Sequence, residues 1–525
     1  MEFKEGQTVG VDLGTTFSTI AQIDENGSPV PVANDDDECE TPSLVLLAES
    51  GHVIIGPNRT RAAMEDPANV AERIKRYMGR ADYERTFDGR EISPEFLSAL
   101  ILKKLRQDAE RRIGKIGNAV ITVPYYFNDA RRKATQDAGR IAGFHVVDII
   151  NEPTAATLTY AWHRGELGVA GPSAEKPRLA LVYDLGGGTF DVTVVRYTPT
   201  HFQVLATDGD VELGGVDWND RLLDHVANEF QARHGTDLRE SPTTVQMLRN
   251  DCDLAKLDLS EQPQTTITCR HGGKTISVPV TRRQFESMTA DLLQRTADTT
   301  ELVLQQAKIT AEQLDVIVLV GGATLMPQVP KMVQEVTGHE PYRGLSPYTA
   351  VAQGAAIHAA ILEAKYRGEG SELAEKVHKM LASVKQENVN SHGLGIVVTN
   401  PKNGSSVNHV MIPRNTRLPA EIRRTFRTNH DGQKRVSIQV IEGDAPDPIA
   451  CSLLGKCRIT NLPPDLPKGS PIEVAYAFDS SGRITVNAQD TTGGNEAAIE
   501  IERHGGLTEQ QIAAYTNLAN DYQVD

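Results

Sequence analysis

The sequence has no run of about 18 apolar residues, so no membrane-spanning helix is expected. It also lacks a positive balance. Lys and Arg number 54 against 70 Asp and Glu, a net charge of −16. That argues against non-specific DNA binding and suits a soluble protein. The opening MEFKEGQT has no apolar signal-peptide core. Five cysteines (Cys39, Cys252, Cys269, Cys451, Cys457) form no CxxC pair. An odd count without a framework fits a reducing cytoplasm, with Cys451 and Cys457 expected as buried free thiols. The 14 histidines show no HExxH spacing, and no GxSxG occurs. Metal-hydrolase and nucleophile-triad readings fall with them. What remains is a 525-residue chain, 39% hydrophobic and 24% charged, long enough for several domains with ample core.

One stretch organises this chain: Leu181 to Val195, LVYDLGGGTFDVTVV. An apolar run leads into Asp184, three glycines follow (Gly186, Gly187, Gly188), then Thr189, Asp191 and an alternating run. It reads as strand, tight turn, strand. Glycines let backbone N–H groups converge on phosphate oxygens, and the aspartates suit a phosphate-bound metal. Alone, such a turn is equally an ordinary hairpin. The N-terminus repeats the plan: VGVDLGTTFSTI has Asp12, Leu13, Gly14, Thr15 and Thr16. A duplicated unit points to two lobes closing on one nucleotide.

Taken in order, residues 9–55 alternate like a β meander, and Asn58 to Met78 reads as helical. Ser93 and Pro94 start a helix, as do Asn128 or Asp129 and Glu152-Pro153. Strands at Ala119–Val123 and His145–Ile150 alternate with these helices, which argues for an α/β domain. Glycines at 214 and 215 precede a helix, another expected anion site. Thr281 is expected to cap one long helix through Ala307. From Leu394 to Ile501 short strands separated by turns indicate a β-sandwich. Thr508 reads as the N-cap of a last helix.

These motifs, with VLVGGATLMP at 318–327 and AVAQGAAIHAA at 350–360, strongly resemble the 70-kilodalton heat-shock (DnaK-like) chaperones. The likeness continues through IPRNTRLP, RVSIQVIEGD and GRITVNAQD. The resemblance implies an α/β actin- or hexokinase-like two-lobed ATPase domain (1–365) and an interdomain linker with a short helix (366–390). An all-β sandwich (391–503) and the start of a C-terminal lid helix (504–525) follow. It implies a cytoplasmic, ATP-dependent chaperone that couples hydrolysis to binding and release of extended apolar peptides. Implied ligands are ATP or ADP, Mg²⁺ and K⁺; implied partners are unfolded polypeptides, a J-domain co-chaperone and a nucleotide exchange factor.

Carried over by position, Gly14, Thr15 and Thr16 hold phosphates in the first loop; Gly186, Gly187, Gly188 and Thr189 do so in the second. Asp12, Glu152, Asp184 and Asp191 surround Mg²⁺ and its waters. Lys75 orients the attacking water and the γ-phosphate. Asp184 or Asp191 accepts the proton, and Thr189 accepts a phosphoryl group as a side reaction. Gly214, Gly215, Gly321 and Gly322 line the nucleotide, with Asp253, Lys256, Ser260 and Leu325 at the adenosine. Pro124 and Arg132 match the family's relay. The peptide cleft corresponds to Ile396, Val398, Thr399, Phe426, Val436, Ile438 and Ile472; without the resemblance these apolar residues read as sandwich core.

The chain also departs from the family. Leu325 replaces an arginine that stacks on adenine, Tyr348 an acid, Phe17 a tyrosine beside a monovalent cation, and Asp253 a glutamate. Weaker adenine binding is expected. The apolar linker run is replaced by the polar SVKQENVN, so docking through Leu373, Val377 and Leu381 is an alternative. A nucleotide-binding regulatory or exchange-factor-like relative with little turnover is the second reading. A sugar kinase or filament protein is the third, disfavoured by the sandwich.

Overall fold

Two hairpins of the same plan set the architecture. In the computed structural model, strands Gln7–Asp12 and Phe17–Ile23 pair antiparallel, and strands Arg178–Leu185 and Phe190–Thr198 do the same. The structure describes all residues except 1, 49–51, 57–66, 81, 84, 88–89, 169–175, 368–374, 401, 461, 479–483, 495, 502–505 and 525. Each hairpin's first strand also pairs parallel with a strand from later in the chain, Ile116–Val123 in one case and Val316–Val320 in the other. Every residue of Ile116–Val123 is buried, as expected of a parallel strand covered on both faces. The first sheet runs His145–Asn151, Ile116–Val123, Gln7–Asp12, Phe17–Ile23, Pro29–Pro31, with Thr41–Pro42 beside Phe17–Ile23. The second runs Val316–Val320, Arg178–Leu185, Phe190–Thr198, His201–Asp210, Lys385–Glu387.

One apolar cluster joins the two sheets through helices Glu152–His163 and Ala350–Tyr366. The Ala- and Gly-rich sequence of the second helix permits backbone-to-backbone approach. A Cβ on Gly354 would lie 1.9 Å from the Ala155 carbonyl oxygen. Gly354→Val should therefore destabilise the chain by about 3 kcal/mol or more. A urea midpoint equal to the parent's would remove close crossing as the reason for glycine.

Residues 394–501 form two four-stranded antiparallel sheets. Their orders are Ser406–Ile412, Leu394–Thr399, Arg435–Glu442, Ser452–Thr460 and Ala420–Arg427, Pro471–Phe478, Ile484–Asp490, Glu496–Ile501. Both contribute side chains to one cluster, including Ile396, Ile438, Val440, Val474, Tyr476 and Val486.

Several expectations need correction. Of the stretch 58–78, residues 58–66 lie outside the described residues. The remainder is two short 3-10 turns, Pro67–Asn69 and Ile74–Tyr77, with strand Val70–Ala71 between them. Arg73 breaks the helix at φ 58°. The helix capped by Thr281 ends at Met288, and a second runs Ala290–Ala307. Thr289 interrupts them: its hydroxyl donates to the Phe285 carbonyl (2.9 Å) and accepts from the Gln328 amide (3.2 Å). All five cysteines are free, but Cys451 is only half-buried.

The last helix, Glu509–Asp521, has the expected Thr508 capping box. It packs on helices Pro94–Ile113 and Asp129–Ile141. Tyr515 meets Phe96 at 5.1 Å, and Lys103 caps the carbonyls of Ala519 and Tyr522. Among the described residues no helix is long and apolar enough to cross a membrane.

Candidate functional site

The two Asp-Leu-Gly turns meet. A Cβ on Gly187 would lie 2.4 Å from the Thr16 side chain, and one on Gly188 would lie 2.4 Å from that of Thr15. Glycine is needed because the second turn's backbone packs directly on the short Thr15 and Thr16 side chains. Beside them opens a cavity of about 510 Å³. Its lining brings together Asp12, Gly14, Thr15, Thr16, Lys75, Glu152, Asp184, Gly186, Gly187, Thr189, Gly215, Asp253, Lys256, Gly321 and Gly322. Gly188, Asp191, Gly214, Ser260 and Leu325 are not among the lining residues.

Lys75 and Glu152 form a buried ion pair, Nζ to Oε1 2.7 Å. The 3-10 turn Ile74–Tyr77 presents Lys75, and the first turn of Glu152–His163 presents Glu152. Burial alone would pull Lys75 down. Glu152, Asp12 and Asp184 outweigh it and hold the ammonium above its ordinary value. Burial pushes the carboxyls upward: Glu152 to about 7, with Lys75 pulling back, and Asp184 well above its usual range. Asp12 is also raised by burial, although the Thr122 hydroxyl donates to it at 2.8 Å. Crowded, desolvated acids around one cation are what a bound cation and polyphosphate would relieve. Among the described residues no three His, Cys, Asp or Glu side chains converge on a metal position. Asp12, Glu152 and Asp184 all line the cavity, and carboxylates of this kind fit Mg²⁺, which keeps several of its waters.

Asp191 lies behind that lining, against the backbone after Pro124. Its carboxylate accepts the amides of Tyr125 (3.0 Å) and Tyr126 (3.3 Å), just after Pro124. Arg132 donates to the carbonyls of Tyr125 (2.9 Å) and Phe127 (3.0 Å) and so holds the same segment. Burial raises Asp191 to about 7.

The expected anion site at the start of helix Gly215–His234 is closed. Gly215 and Val216 donate to the carbonyls of Gly186 (2.9 Å) and Gly187 (2.8 Å). Gly214 donates to the Asp217 side chain (2.7 Å). These amides brace the second turn instead. Arg76 adds to the brace from the first half: Nε donates to the Gly188 carbonyl (2.8 Å), and the guanidinium meets Asp217 at 2.5 Å.

At the far end of the cavity Tyr348 lies against Gly322, whose Cβ would fall 2.5 Å from the ring. Leu325 is 49% exposed, and Ser260 donates to the Lys256 carbonyl at 2.9 Å. Asn219 donates to Asp253. Sequence reasoning missed Asn34, Asp36, Glu38, Glu40, Leu254 and Leu257 in the lining. The only available signal was the acidic run before Thr41-Pro42, which carries no periodicity.

A family model described as Hsp70 protein matches residues 8–87 and 82–525. The chain belongs to the Hsp70 family. The chaperone protein DnaK of Thermosipho melanesiensis is 39% identical over 531 residues, spanning 100% of this chain and 85% of that protein. DnaK of Thermosipho africanus is 39% identical over 520 residues (98% and 82%), and that of Halobacterium salinarum 38% over 512 residues (96% and 76%).

In this Hsp70 the polar segment expected to act as a linker is seated. Strand Lys385–Glu387 pairs parallel with His201–Gln203. Main-chain pairing needs no leucines. The side chains find polar partners: Gln386 donates to His358 Nδ1 (2.8 Å), whose Nε2 meets Asp148 (2.8 Å). Glu387 pairs with Arg417 and lies 3.3 Å from His201. The Tyr125 hydroxyl both accepts from the Val389 amide and donates to its carbonyl, each at 2.9 Å. Leu381 is buried and Val377 partly buried in the cluster between the first two sheets; Leu373 lies outside the described residues.

Of the residues matched to a peptide cleft, Ile396, Ile438 and Ile472 are buried in the core cluster. Val398, Phe426 and Val436 are partly buried against it, and Thr399 is exposed.

Proposed function

We propose that this chain is an ATP-hydrolysing chaperone with a two-lobed nucleotide domain (1–365), a linker (366–390) and a peptide-binding sandwich (391–503). The observation that carries it is the buried Lys75–Glu152 pair, 2.7 Å apart, in a cavity lined by both glycine turns. Lys75 neutralises and orients the γ-phosphate and the attacking water. Glu152, Asp12 and Asp184 hold the waters of Mg²⁺, which when bound neutralises phosphate charge. Asp184, which lines the cavity, accepts the proton. Asp191 positions the second turn against Tyr125 and Tyr126. Tyr348 and Leu257 bracket the base, and the cell compartment is the cytoplasm. Single-turnover hydrolysis with and without an apolar peptide tests this reading. Peptide-insensitive, near-zero turnover would instead favour a regulatory or exchange-factor-like protein, the reading that the polar linker supports.

Two further outcomes are expected. Leu325→Arg should bind ATP more tightly by a few-fold in calorimetry, because a guanidinium face can stack on a base; unchanged affinity would count against a base at this position. Hydrolysis should fall as pH drops below about 7, the value to which burial raises Asp191. Protonation removes the charge that accepts two amides. The stability term has the opposite sense. With Asp191 raised above 3.8, the folded state is favoured at low pH, and that advantage is lost as pH rises through about 7. A flat rate between about pH 6 and about pH 8 would remove Asp191 from the rate profile.

A further inference from the structure

The stretch Ala420 to Arg435 reverses the charge of its surroundings. It holds Arg423, Arg424, Arg427, Lys434 and Arg435 against Glu421 and Asp431, in a chain of net charge −16. Strand Ala420–Arg427 is the edge of its sheet. Ile422 and Phe426 turn toward the core cluster, and side-chain alternation places Arg424 between them on that same face. Its ladder partner, Val474, is buried, yet Arg424 is exposed.

The contrast with Arg423 is informative. On the outer face Arg423 is matched by Glu421 (3.0 Å) and Glu473 (3.3 Å). On the inner face Arg424 meets no acid among the described residues, and neither do Lys434 and Arg435. Among the described residues Arg427 donates to the Gly469 carbonyl at 2.8 Å and meets no acid. Arg427 ends its strand next to Phe426 and Arg435 begins its strand next to Val436, two of the three partly buried apolar side chains of the matched cleft; alternation turns both arginines to the opposite face, so they reach the cleft only from the strand ends.

We propose that Arg424, Arg427, Lys434 and Arg435 select extended segments whose apolar anchor is flanked by Asp or Glu. The inference rests on the peptide-cleft reading above. An extended segment advances about 3.3 Å per residue, so acids one to three positions from an anchor at Phe426 come within reach of these side chains. Each exposed pair is weak, but several act together and salt screens them. The acidic remainder of the chain repels such peptides at long range, so the preference is a short-range one.

The test uses the full chain with ADP and three fluorescent peptides sharing one leucine core, flanked by Asp, Lys or Ser. At about 50 mM salt the Asp-flanked peptide should bind about tenfold tighter than the Lys-flanked one, and at about 500 mM the gap should shrink to within about twofold. Arg424→Glu with Arg435→Glu should invert the order and leave the Ser-flanked peptide unchanged. Arg423→Gln should leave the order as it was. Equal affinities, or tighter Lys-flanked binding, in the unmodified chain overturn the inference. Failure of all three peptides to bind overturns the cleft reading and this inference with it. If the double variant loses the Ser-flanked peptide, the salt series on the unmodified chain decides.

Discussion

Lys75→Met should hydrolyse ATP at least about a hundredfold more slowly than the parent while still binding it. Loss of one preorganised charge at a transition state costs about this much. Lys75 is the cation that Glu152, Asp12 and Asp184 jointly hold charged. Methionine fills similar volume but leaves Glu152 without its 2.7 Å partner in a buried site. Breaking a buried pair from one side costs about 3–5 kcal/mol, less where the orphaned acid takes up a proton. Glu152, already raised to about 7, does so readily. A second variant, Lys75→Met with Glu152→Gln, separates folding from chemistry. It should recover thermal stability and remain inactive in single turnover. Parental turnover in either variant would remove Lys75 from the mechanism.

Tyr125→Phe should release the segment around Val389, the proposed linker. One hydroxyl satisfies both the amide and the carbonyl of Val389, which is itself buried. Removing it orphans two backbone groups at about 1–3 kcal/mol each, which weakens the seated state on the order of a hundredfold. The same residue's amide holds Asp191, so the side chain touches the linker and the backbone touches the site. Hydrogen exchange across residues 385–390 with ATP should accelerate accordingly, and peptide should no longer change the hydrolysis rate. The coupling is thermodynamic and so reciprocal: peptide can act on the site only if the site acts on the seat. Protection of Val389 equal to the parent's would refute this role.

Much of the architecture is legible in sequence because it is local. Ser93, Asn128, Thr281 and Thr508 accept the amides that mark helix starts, and each cap is present. The apolar strands before Asp12 and Asp184 read correctly for the same reason. The stretch 67–78 misled because its apolar spacing fits a helix while Arg73 occupies the left-handed region. The closed helix start at Gly215 was illegible because its amides meet carbonyls about 30 residues earlier. The acidic lining at Asp36, Glu38 and Glu40 showed only as an aperiodic acidic run, which points to no particular face.

Sequence alone showed the pair of glycine turns, through the repeated Asp-Leu-Gly plan; the structure explains the glycines, since Gly187 and Gly188 pack on the Thr16 and Thr15 side chains. It also identified Lys75 and Glu152 as the residues to watch, through the family pattern around them. The tertiary structure decided which acids face the cavity, that Asp191 holds Tyr125 and Tyr126, and that the leucine-free segment 383–390 is seated. Those outcomes depend on hydrogen bonds between residues far apart in the chain. A backbone strand can pair whatever its side chains are, so the polarity of Lys385, Gln386 and Glu387 does not show whether it does.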